Sequence, residues 1–396
     1  MTSAQRSILA AAMLMQSVSI GLTFGILPVL LEPLELAFEA SRTTISSGQI
    51  LMMVALAMGS LLTGLALDRG YVRRVMLAGA LLLTSAQVVA ALSPNLWVLG
   101  LAAVMAGFAV PSVGPLAAAS LVTRSFDAER GRALGLMSMG PALGSGFFAA
   151  MAGWSLLVLD WRQTFLFFAV IAFVVMTPVV WFFIPPHFDP APDPASESGR
   201  VSQGVSLGAL VRRPLFLWTA GVFALSAGTS SGWVVHVAAF LGGSGFDETQ
   251  RSGLLALQYW MGVPGALFFG VMADRVGLTT LFAAMLGTGA ACFGVMALEP
   301  APVVVVGTCV VFGFAFGGTI PLYMLLLGRR LGPDAMGRAM GLSNMMMLPV
   351  MTGSVLLAAS IFEATGGYTR ALSIFSIALL GAIGCLLGSN WSARKA

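Results

Sequence analysis

The sequence contains few charged residues, because Asp, Glu, Lys and Arg together make up only 9% of its 396 positions. Soluble domains average about 25%. Hydrophobic residues account for 58%, and the mean hydropathy is +0.93. A soluble chain of this size could not cover its surface with so few charges. The composition therefore excludes soluble enzymes, disordered chains and nucleic-acid-binding proteins, and indicates a polytopic protein of the lipid bilayer.

Cysteine and histidine are also scarce. The three cysteines, Cys292, Cys309 and Cys385, lie in apolar stretches without metal-ligand or redox spacing. No G-x-x-x-x-G-K-[ST] phosphate-binding loop and no H-E-x-x-H motif occurs. We therefore expect no cofactor, no metal site, no ATP-driven pump and no enzyme.

Long apolar runs are what the sequence has in abundance. A helix needs roughly 20 apolar residues to cross a bilayer. Cutting the chain at charged or Pro/Gly-rich breaks predicts twelve spans, at 8–31, 44–67, 75–93, 96–122, 132–157, 163–184, 214–241, 252–273, 279–298, 302–327, 338–362 and 370–388.

The basic residues divide unequally between alternate loops. Of the 20, only Arg42, Arg162, Arg251 and Arg370 fall on one side, and 16 fall on the other. The positive-inside rule predicts that the side with 16, which carries both termini, faces the cytoplasm. The acidic residues split evenly. This accounting predicts no Asp, Glu, Lys or Arg near mid-membrane, and the expected location is a bacterial inner (cell) membrane.

The two halves of the chain repeat at an offset of 206 residues. Gly64, Gly107 and Pro115 correspond to Gly270, Gly313 and Pro321, and GRALG at 131–135 corresponds to GRAMG at 337–341. A polar, Pro/Ser-rich segment separates them. We predict an N-terminal six-helix bundle at 1–184, a cytoplasmic linker at 185–213 and a C-terminal six-helix bundle at 214–396.

A G-x-x-x-D-R motif recurs after spans two and eight, as GLALDRGYVRR at 64–74 and GVMADRVG at 270–277. This resembles the loop signature of the major facilitator superfamily, whose members are built as six plus six helices. The resemblance implies an all-α fold of twelve transmembrane helices in two pseudo-symmetric six-helix bundles. Tyr71 stands where the family has a glycine, and the second copy lacks the trailing basic pair.

The motif implies a charge cluster that latches the cytoplasmic ends of the helices during alternating access. A glycine allows close helix packing, and an Asp at a helix end can accept hydrogen bonds from an Arg and from backbone N–H groups. An incidental result of positive-inside topology is the simpler alternative. The predicted latch residues are Gly64, Asp68, Arg69, Arg73, Arg124, Gly270, Asp274, Arg275 and Arg330.

Three segments resemble the bacterial monocarboxylate-porter-like branch: SRTTIS at 41–46, DWRQTF at 160–165 and SSGWVVHVAAFL at 230–241. The sequence departs from that branch in span eight, where the only Arg is Arg251 at the outer end. A rival resemblance is MGPALGSG at 139–146, which is similar to the G-P-x-x-G-G signature of drug-efflux antiporters. Small-residue packing explains this segment equally well.

The fold implies a central cavity lined by polar and aromatic side chains of the spans. His236 is the only residue within a span that titrates near neutrality, and we predict that it couples transport to protons. A neutral packing histidine is the alternative. The predicted substrate-binding residues are Phe24, Gln49, Trp233, His236, Gln258, Tyr259, Tyr323 and Asn344, and the predicted hinges are Pro115, Pro141 and Pro321.

Together these features predict a secondary active or facilitative transporter for a small organic solute. The resemblance favours a monocarboxylate moved with protons, and the alternative is proton-antiport efflux of drugs or hydrophobic metabolites. The expected partners are the solute, protons and the lipid bilayer, with no nucleic acid, and the expected state is a monomer.

Overall fold

The structure, a computed structural model, describes residues 2–68, 71–126, 133, 136–137, 139–184, 212–273, 275–331 and 333–395. Every element that it assigns there is helical. The first half contains α1 (Ser3–Ile20), a π-helical turn (Gly21–Gly25), α2 (Leu27–Phe38), α3 (Arg42–Asp68), α4 (Val72–Ala91), α5 (Leu96–Val113), α6 (Pro115–Ser125), α7 (Gly140–Leu156) and α8 (Trp161–Phe183).

The second half contains α9 (Pro214–Gly243), α10 (Glu248–Met272), α11 (Leu278–Met296), α12 (Pro302–Gly317), α13 (Thr319–Leu331), α14 (Pro333–Thr365) and α15 (Thr369–Lys395). Eleven spans within the described residues are long and apolar enough to cross a membrane. The remaining predicted span, the fifth, is represented by α7, because the stretch before it is only partly described. The twelve-span fold is confirmed.

Local sequence signals explain where several of these helices begin. Asp160 and Asp247 each accept the backbone N–H three residues later, from Gln163 and Gln250, at 2.8 Å. The glutamine side chains bond back to the backbone N–H of the aspartates, which completes a capping box at the start of α8 and α10. These caps fix the helix ends at loops predicted to face the outside.

Three of the spans are divided in the middle. The π-helical turn Gly21–Gly25 separates α1 from α2 in span one. Gly114 separates α5 from α6 in span four, and Gly318 separates α12 from α13 in span ten. Spans four and ten occupy equivalent places in the repeat, so the interruption is itself repeated. Local π-helical turns are frequently found at functional sites.

Equivalent glycines make equivalent close approaches in the two halves. A Cβ added at Gly107 would lie 3.0 Å from the carbonyl carbon of Met52, and one at Gly313 would lie 2.9 Å from that of Gln258. Met52 and Gln258 are themselves 206 residues apart. The sequence repeat is therefore also a repeat of backbone packing between spans two and four and between spans eight and ten.

The described residues form two compact units. The first takes the described part of residues 1–198 together with Arg251–Ala256, and the second takes the rest. In the first, α4 packs between α5 and α8, while α1 packs on α7. In the second, α9 packs on α14 and α15, and α11 packs on α15. The predicted linker lies outside the described residues except at Arg212 and Arg213.

Candidate functional site

Trp233 and Gln258 form a buried polar pair in the second unit. The indole Nε1–H of Trp233 on α9 donates to Oε1 of Gln258 on α10 at 3.0 Å. Both side chains are buried. The Trp233 ring also makes edge contacts with three phenylalanines, Phe240, Phe293 and Phe312. Trp233 is thus an aromatic core residue rather than a lipid-facing one. The hydrogen bond to Oε1 of Gln258 fixes the orientation of its indole ring.

His236 lies one turn further along α9 and is hydrogen-bonded through both ring nitrogens. Nε2 lies 3.1 Å from the carbonyl oxygen of Val355, and Nδ1 lies 3.2 Å from the hydroxyl of Tyr368. Because a carbonyl only accepts, Nε2 carries the proton. In the neutral ring Nδ1 then accepts from Tyr368. Protonation of Nδ1 would require the Tyr368 hydroxyl to turn and become the acceptor.

The space around His236 is small and apolar. A void of about 10 Å³ is bordered by His236 and Tyr368 together with Trp233, Phe240 and Phe375. No Asp, Glu, Lys or Arg of the part of the chain that the structure describes borders this void. A void of this size holds at most about one water molecule. His236 is therefore packed in this structure, and its predicted roles in substrate binding and proton coupling stay predictions.

Tyr323 occupies a separate buried position on α13. Its ring stacks on Phe223 with centroids 4.0 Å apart and an interplanar angle of 6°. Its hydroxyl donates to the hydroxyl of Ser343 on α14, and Ser343 donates in turn to the carbonyl of Ala339 at 2.7 Å. The side chain of neighbouring Asn344 lies outside the described residues.

In the first unit, Gln49 on α3 lines a cavity of about 580 Å³. Phe24, on the π-helical turn, is half-buried and lies outside that lining, whereas its neighbour Thr23 is part of it. In the second unit, Tyr259 on α10 is half-buried. The predicted binding residues thus fall into local clusters: Trp233 with Gln258 and His236, Tyr323 with Ser343, and Gln49 with Thr23.

The predicted latch residues of the first unit bind backbone carbonyls. Arg124, near the end of α6, donates to the carbonyl of Leu67 at 2.6 Å. This bond joins the ends of α3 and α6 next to the D-R motif. Arg73 donates to the carbonyl of Trp181 at 2.9 Å and lies over its indole ring. Arg69 and the side chain of Asp68 lie outside the described residues.

The corresponding residues of the second unit have different partners. Arg330 donates to the side-chain oxygen of Asn390 on α15, and Thr279 donates to the same oxygen at 3.1 Å. Arg275 is exposed, and Asp274 lies outside the described residues. The latch function of these residues stays a prediction.

The motif glycines Gly64 and Gly270 have no close neighbour among the described residues. A Cβ added at either would meet no heavy atom of those residues within 4 Å. Their packing role therefore stays a prediction. Close backbone approaches within each unit occur deeper in the same halves, for example at Gly107 and Gly313.

The three predicted hinge prolines all lie in the first turn of a helix. Pro115 opens α6, Pro141 is the second residue of α7, and Pro321 is the third residue of α13. A proline costs little there, because those N–H groups have no partner within the helix. The break itself falls just before Pro115, at Gly114, whose N–H still donates to Val110 at 2.7 Å. Movement at these points stays a prediction.

The segment MGPALGSG forms a tight seam with the first span. Ser17 donates to the carbonyl of Gly140 at 2.9 Å, and Gln16 donates to that of Met137 at 2.9 Å. A Cβ added at Gly144 would collide with the backbone of Ser17. Gly140 and Gly144 thus make close backbone contacts within one unit, and the efflux interpretation of this segment stays a prediction.

Two polar residues that the sequence reasoning overlooked have well-defined roles. Tyr368, which immediately precedes α15, holds Nδ1 of His236. Gln87, within the apolar span three, donates at 2.9 Å to the carbonyl of Leu22, which belongs to the π-helical turn. A lone amide inside an apolar span is a recognisable signal, and it could have identified Gln87. Tyr368 carried no such signal, because it lies in a connection between helices.

Comparison with known proteins places these features in a family. Residues 10–351 match the family model of the Major Facilitator Superfamily. No curated protein sequence matches the chain. The chain is similar in structure to a bacterial homolog of the human lysosomal transporter Spinster in its inward-facing and occupied conformation, with a TM-score of 0.80 and 13% identity, over 99% of this chain and 98% of that one.

The inward-facing and unoccupied conformation of a bacterial Spinster homolog gives a TM-score of 0.73 at 14% identity, over 100% of this chain and 98% of that chain. At such identities the similarity shows the fold alone. The family model covers most of the sequence, and it agrees with the twelve spans and the repeated motif. The chain belongs to the major facilitator superfamily, and it is a multi-pass membrane transporter rather than an enzyme.

Proposed function

We propose that this transporter moves a small organic solute by alternating access, and that the bound solute together with any proton moved with it carries no net charge. One observation supports this most strongly. Among the described residues, no Asp, Glu, Lys or Arg is buried. The buried polar side chains are amides, hydroxyls, an indole and one imidazole. Among these buried side chains, an ionised solute without its proton would find no opposite charge to compensate for the loss of water.

A monocarboxylate moved together with a proton is the first candidate. The carboxylate and the proton together have no net charge. The segments around Arg42, Asp160 and His236 resemble the monocarboxylate-porter-like branch. Gln49 and Gln258 would offer amides to the carboxyl group. His236 would take the proton, with the Tyr368 hydroxyl turning to accept from Nδ1.

Proton-antiport efflux of hydrophobic molecules is the second candidate. The apolar cavity beside Gln49 favours it. The MGPALGSG seam is similar to the efflux signature, but close packing accounts for it as well. The two candidates differ in the solute that should stabilise the protein.

The discriminating experiment compares ligands on the purified chain. Thermal unfolding is followed with short carboxylates and with hydrophobic cations, at the same concentrations. Stabilisation by the carboxylates supports the first candidate. Stabilisation only by the cations rejects it, and rejects the proposed neutrality of the bound solute as well. Flux in proteoliposomes, with and without a proton gradient, then tests whether the stabilising solute is transported.

His236→Ala tests the coupling role. We expect weaker uptake driven by a pH gradient, while solute exchange at equal pH survives. The matched variant Tyr368→Phe keeps the ring but removes the hydroxyl that faces Nδ1, so it should change the pH profile as well. A wild-type pH profile in both variants would remove His236 from the coupling mechanism.

We further propose that the chain is a monomer in a bacterial cell membrane with both termini in the cytoplasm. The unequal distribution of basic residues supports this orientation. Labelling of single cysteines placed near each terminus, with a reagent that cannot cross the membrane, tests it: labelling in intact cells would contradict the proposed orientation.

A further inference from the structure

The first unit contains a cavity, partly open to the surface, that is lined by Thr23 and Gln49 among others. It measures about 580 Å³ and lies between the π-helical turn, α2, α3, α4 and α5. Its lining comes from the half of each span that is predicted to face the outside. A volume of this size is typical of small-molecule sites.

The walls of the cavity are mainly aliphatic. Leu30, Leu34, Ile45 and Met52 are buried side chains of the lining. Among the described residues, no Asp, Glu, Lys or Arg belongs to it. Such walls suit a flexible hydrocarbon chain, because apolar contact requires no directional partner.

One polar group inside the cavity has no partner. Gln49 is only 4% exposed, and its Oε1 accepts no hydrogen bond from any described residue. The other amide of the lining, Gln87, already donates to Leu22, and the Thr23 hydroxyl donates to Ser19 at 2.8 Å. Buried amide oxygens are almost always paired. Gln49 is therefore the place where a ligand can supply the missing donor.

The cavity is bordered by apolar side chains on the exposed surface. Leu51, Trp97 and Leu101 all belong to the lining, yet they are 47%, 89% and 53% exposed. Trp97 is the second residue of α5, at a membrane depth where tryptophan is enriched. In a membrane-spanning chain such an apolar border admits molecules from the lipid phase and not only from water.

We propose that this cavity binds a single-chain amphiphile whose uncharged hydroxyl donates a hydrogen bond to Oε1 of Gln49 while its hydrocarbon chain lies along the aliphatic walls. The donor satisfies the buried amide, and the absence of lining charges disfavours an ionised head group. The site does not rest on the proposed function, since binding is measured without any flux. Either proposal can fail while the other stands.

The test uses the full chain in phosphatidylcholine nanodiscs and a long-chain alcohol that carries a photoactivatable diazirine. Labelled positions are mapped by mass spectrometry. The matched methyl ether of the same probe lacks the donor. We expect the alcohol to label peptides of α3 and α5, and to bind about tenfold more tightly than the ether, which corresponds to about 1.4 kcal/mol.

Two variants test the site itself. Gln49→Met keeps the length of the side chain but removes the acceptor, so the alcohol should lose its tenfold advantage over the ether. Gly48→Phe fills the cavity, because Gly48 lines it and no heavy atom of the described residues lies within 4 Å of its Cβ position. Gly307→Phe is the control, since Gly307 is equally open but lies on α12, outside the cavity.

The proposal is overturned if the alcohol and the ether label the wild-type protein equally, because the cavity is then an unselective lipid crevice. It is also overturned if Gly48→Phe retains full labelling. If Gly48→Phe does not fold, the comparison of the two probes on wild-type and Gln49→Met protein still tests whether the hydroxyl binds to Gln49.

Discussion

The close approach of a glycine to the backbone of a neighbouring helix, which is repeated in both halves, predicts that alanine at either glycine destabilises its unit. In each half a glycine of the fourth or tenth span lies against the backbone of the preceding even-numbered span. Gly107 faces Met52 and Gly313 faces Gln258, so that an added Cβ would lie 3.0 and 2.9 Å from their carbonyl carbons. Alanine at either position must push two helices apart.

The expected change in the free energy of unfolding is the difference between two opposing effects. Replacing glycine by alanine inside a helix gains roughly 0.5–1 kcal/mol of helix stability. Overpacking a tight contact costs typically about 1–3 kcal/mol. The obstacle is backbone, which cannot rotate aside as a side chain can. We therefore expect Gly107→Ala and Gly313→Ala each to destabilise their unit by about 1–2 kcal/mol.

Each helix supplies its own control. On α5, a Cβ at Gly100 would lie 3.4 Å from a side-chain carbon of Leu51, an ordinary contact. On α12, a Cβ at Gly307 would meet no heavy atom of any residue that the structure describes within 4 Å. Gly100→Ala and Gly307→Ala should therefore leave stability unchanged or raise it by up to about 1 kcal/mol.

The assay is thermal unfolding of the purified variants in one detergent at one scan rate. A change of 1 kcal/mol shifts Tm by roughly 2–4 °C for a unit of 150–250 residues. The two tight variants should lose roughly 2–8 °C, and the two controls should not. If all four variants behave alike, the inference that these glycines mark a repeated backbone contact is refuted.

Two further predictions concern single contacts. Tyr323→Phe removes the hydrogen bond to Ser343 but keeps the stacking on Phe223, so it should cost about 0.5–1.5 kcal/mol; Tyr323→Leu should cost more, and equal melting temperatures would contradict the stacking contribution. Arg124→Gln shortens the side chain that binds the carbonyl of Leu67, and should lower stability by about 1 kcal/mol and slow solute flux. Unchanged flux with lowered stability would assign Arg124 a structural role alone.

The fold could be predicted almost completely from the sequence. Twelve long apolar runs in one chain indicate membrane-spanning helices. The repeat at an offset of 206 residues, which maps Gly107 onto Gly313, indicates two six-helix halves of the same topology. In the structure, Met52 and Gln258 occupy equivalent positions although their side chains differ. The backbone carbonyl of each lies against the equivalent glycine, Gly107 or Gly313. A sequence comparison of side chains could not have shown that pairing.

The site could be predicted only in part. A polar residue in an apolar span was a sound signal for Gln49, Gln258 and Tyr323, all of which are buried. Which partner each one finds depends on distances between helices, which composition does not contain. The Trp233–Gln258 bond and the packing of His236 against Tyr368 follow from the way the helices pack around α9.

The Oε1 of Gln49, which has no donor among the described residues, also shows that the sequence does not determine which amides find a partner. Gln49 and Gln87 look alike in the sequence, since each is a lone amide in an apolar span. Only the structure distinguishes them, because Gln87 donates to Leu22 and the oxygen of Gln49 is left without a donor among the described residues. That difference separates a structural amide from a candidate ligand contact.

If the solute and any proton moved with it cross the membrane without net charge, a membrane potential should not drive their flux. Proteoliposomes are given a membrane potential with a potassium gradient and an ionophore, and solute flux is recorded at equal pH. Moving one charge across the bilayer is worth about 2.3 kcal/mol per 100 mV. The account predicts that the potential leaves the flux unchanged while a pH gradient alters it. Flux that rises or falls steeply with the potential would show a net charge in transit and would contradict the account.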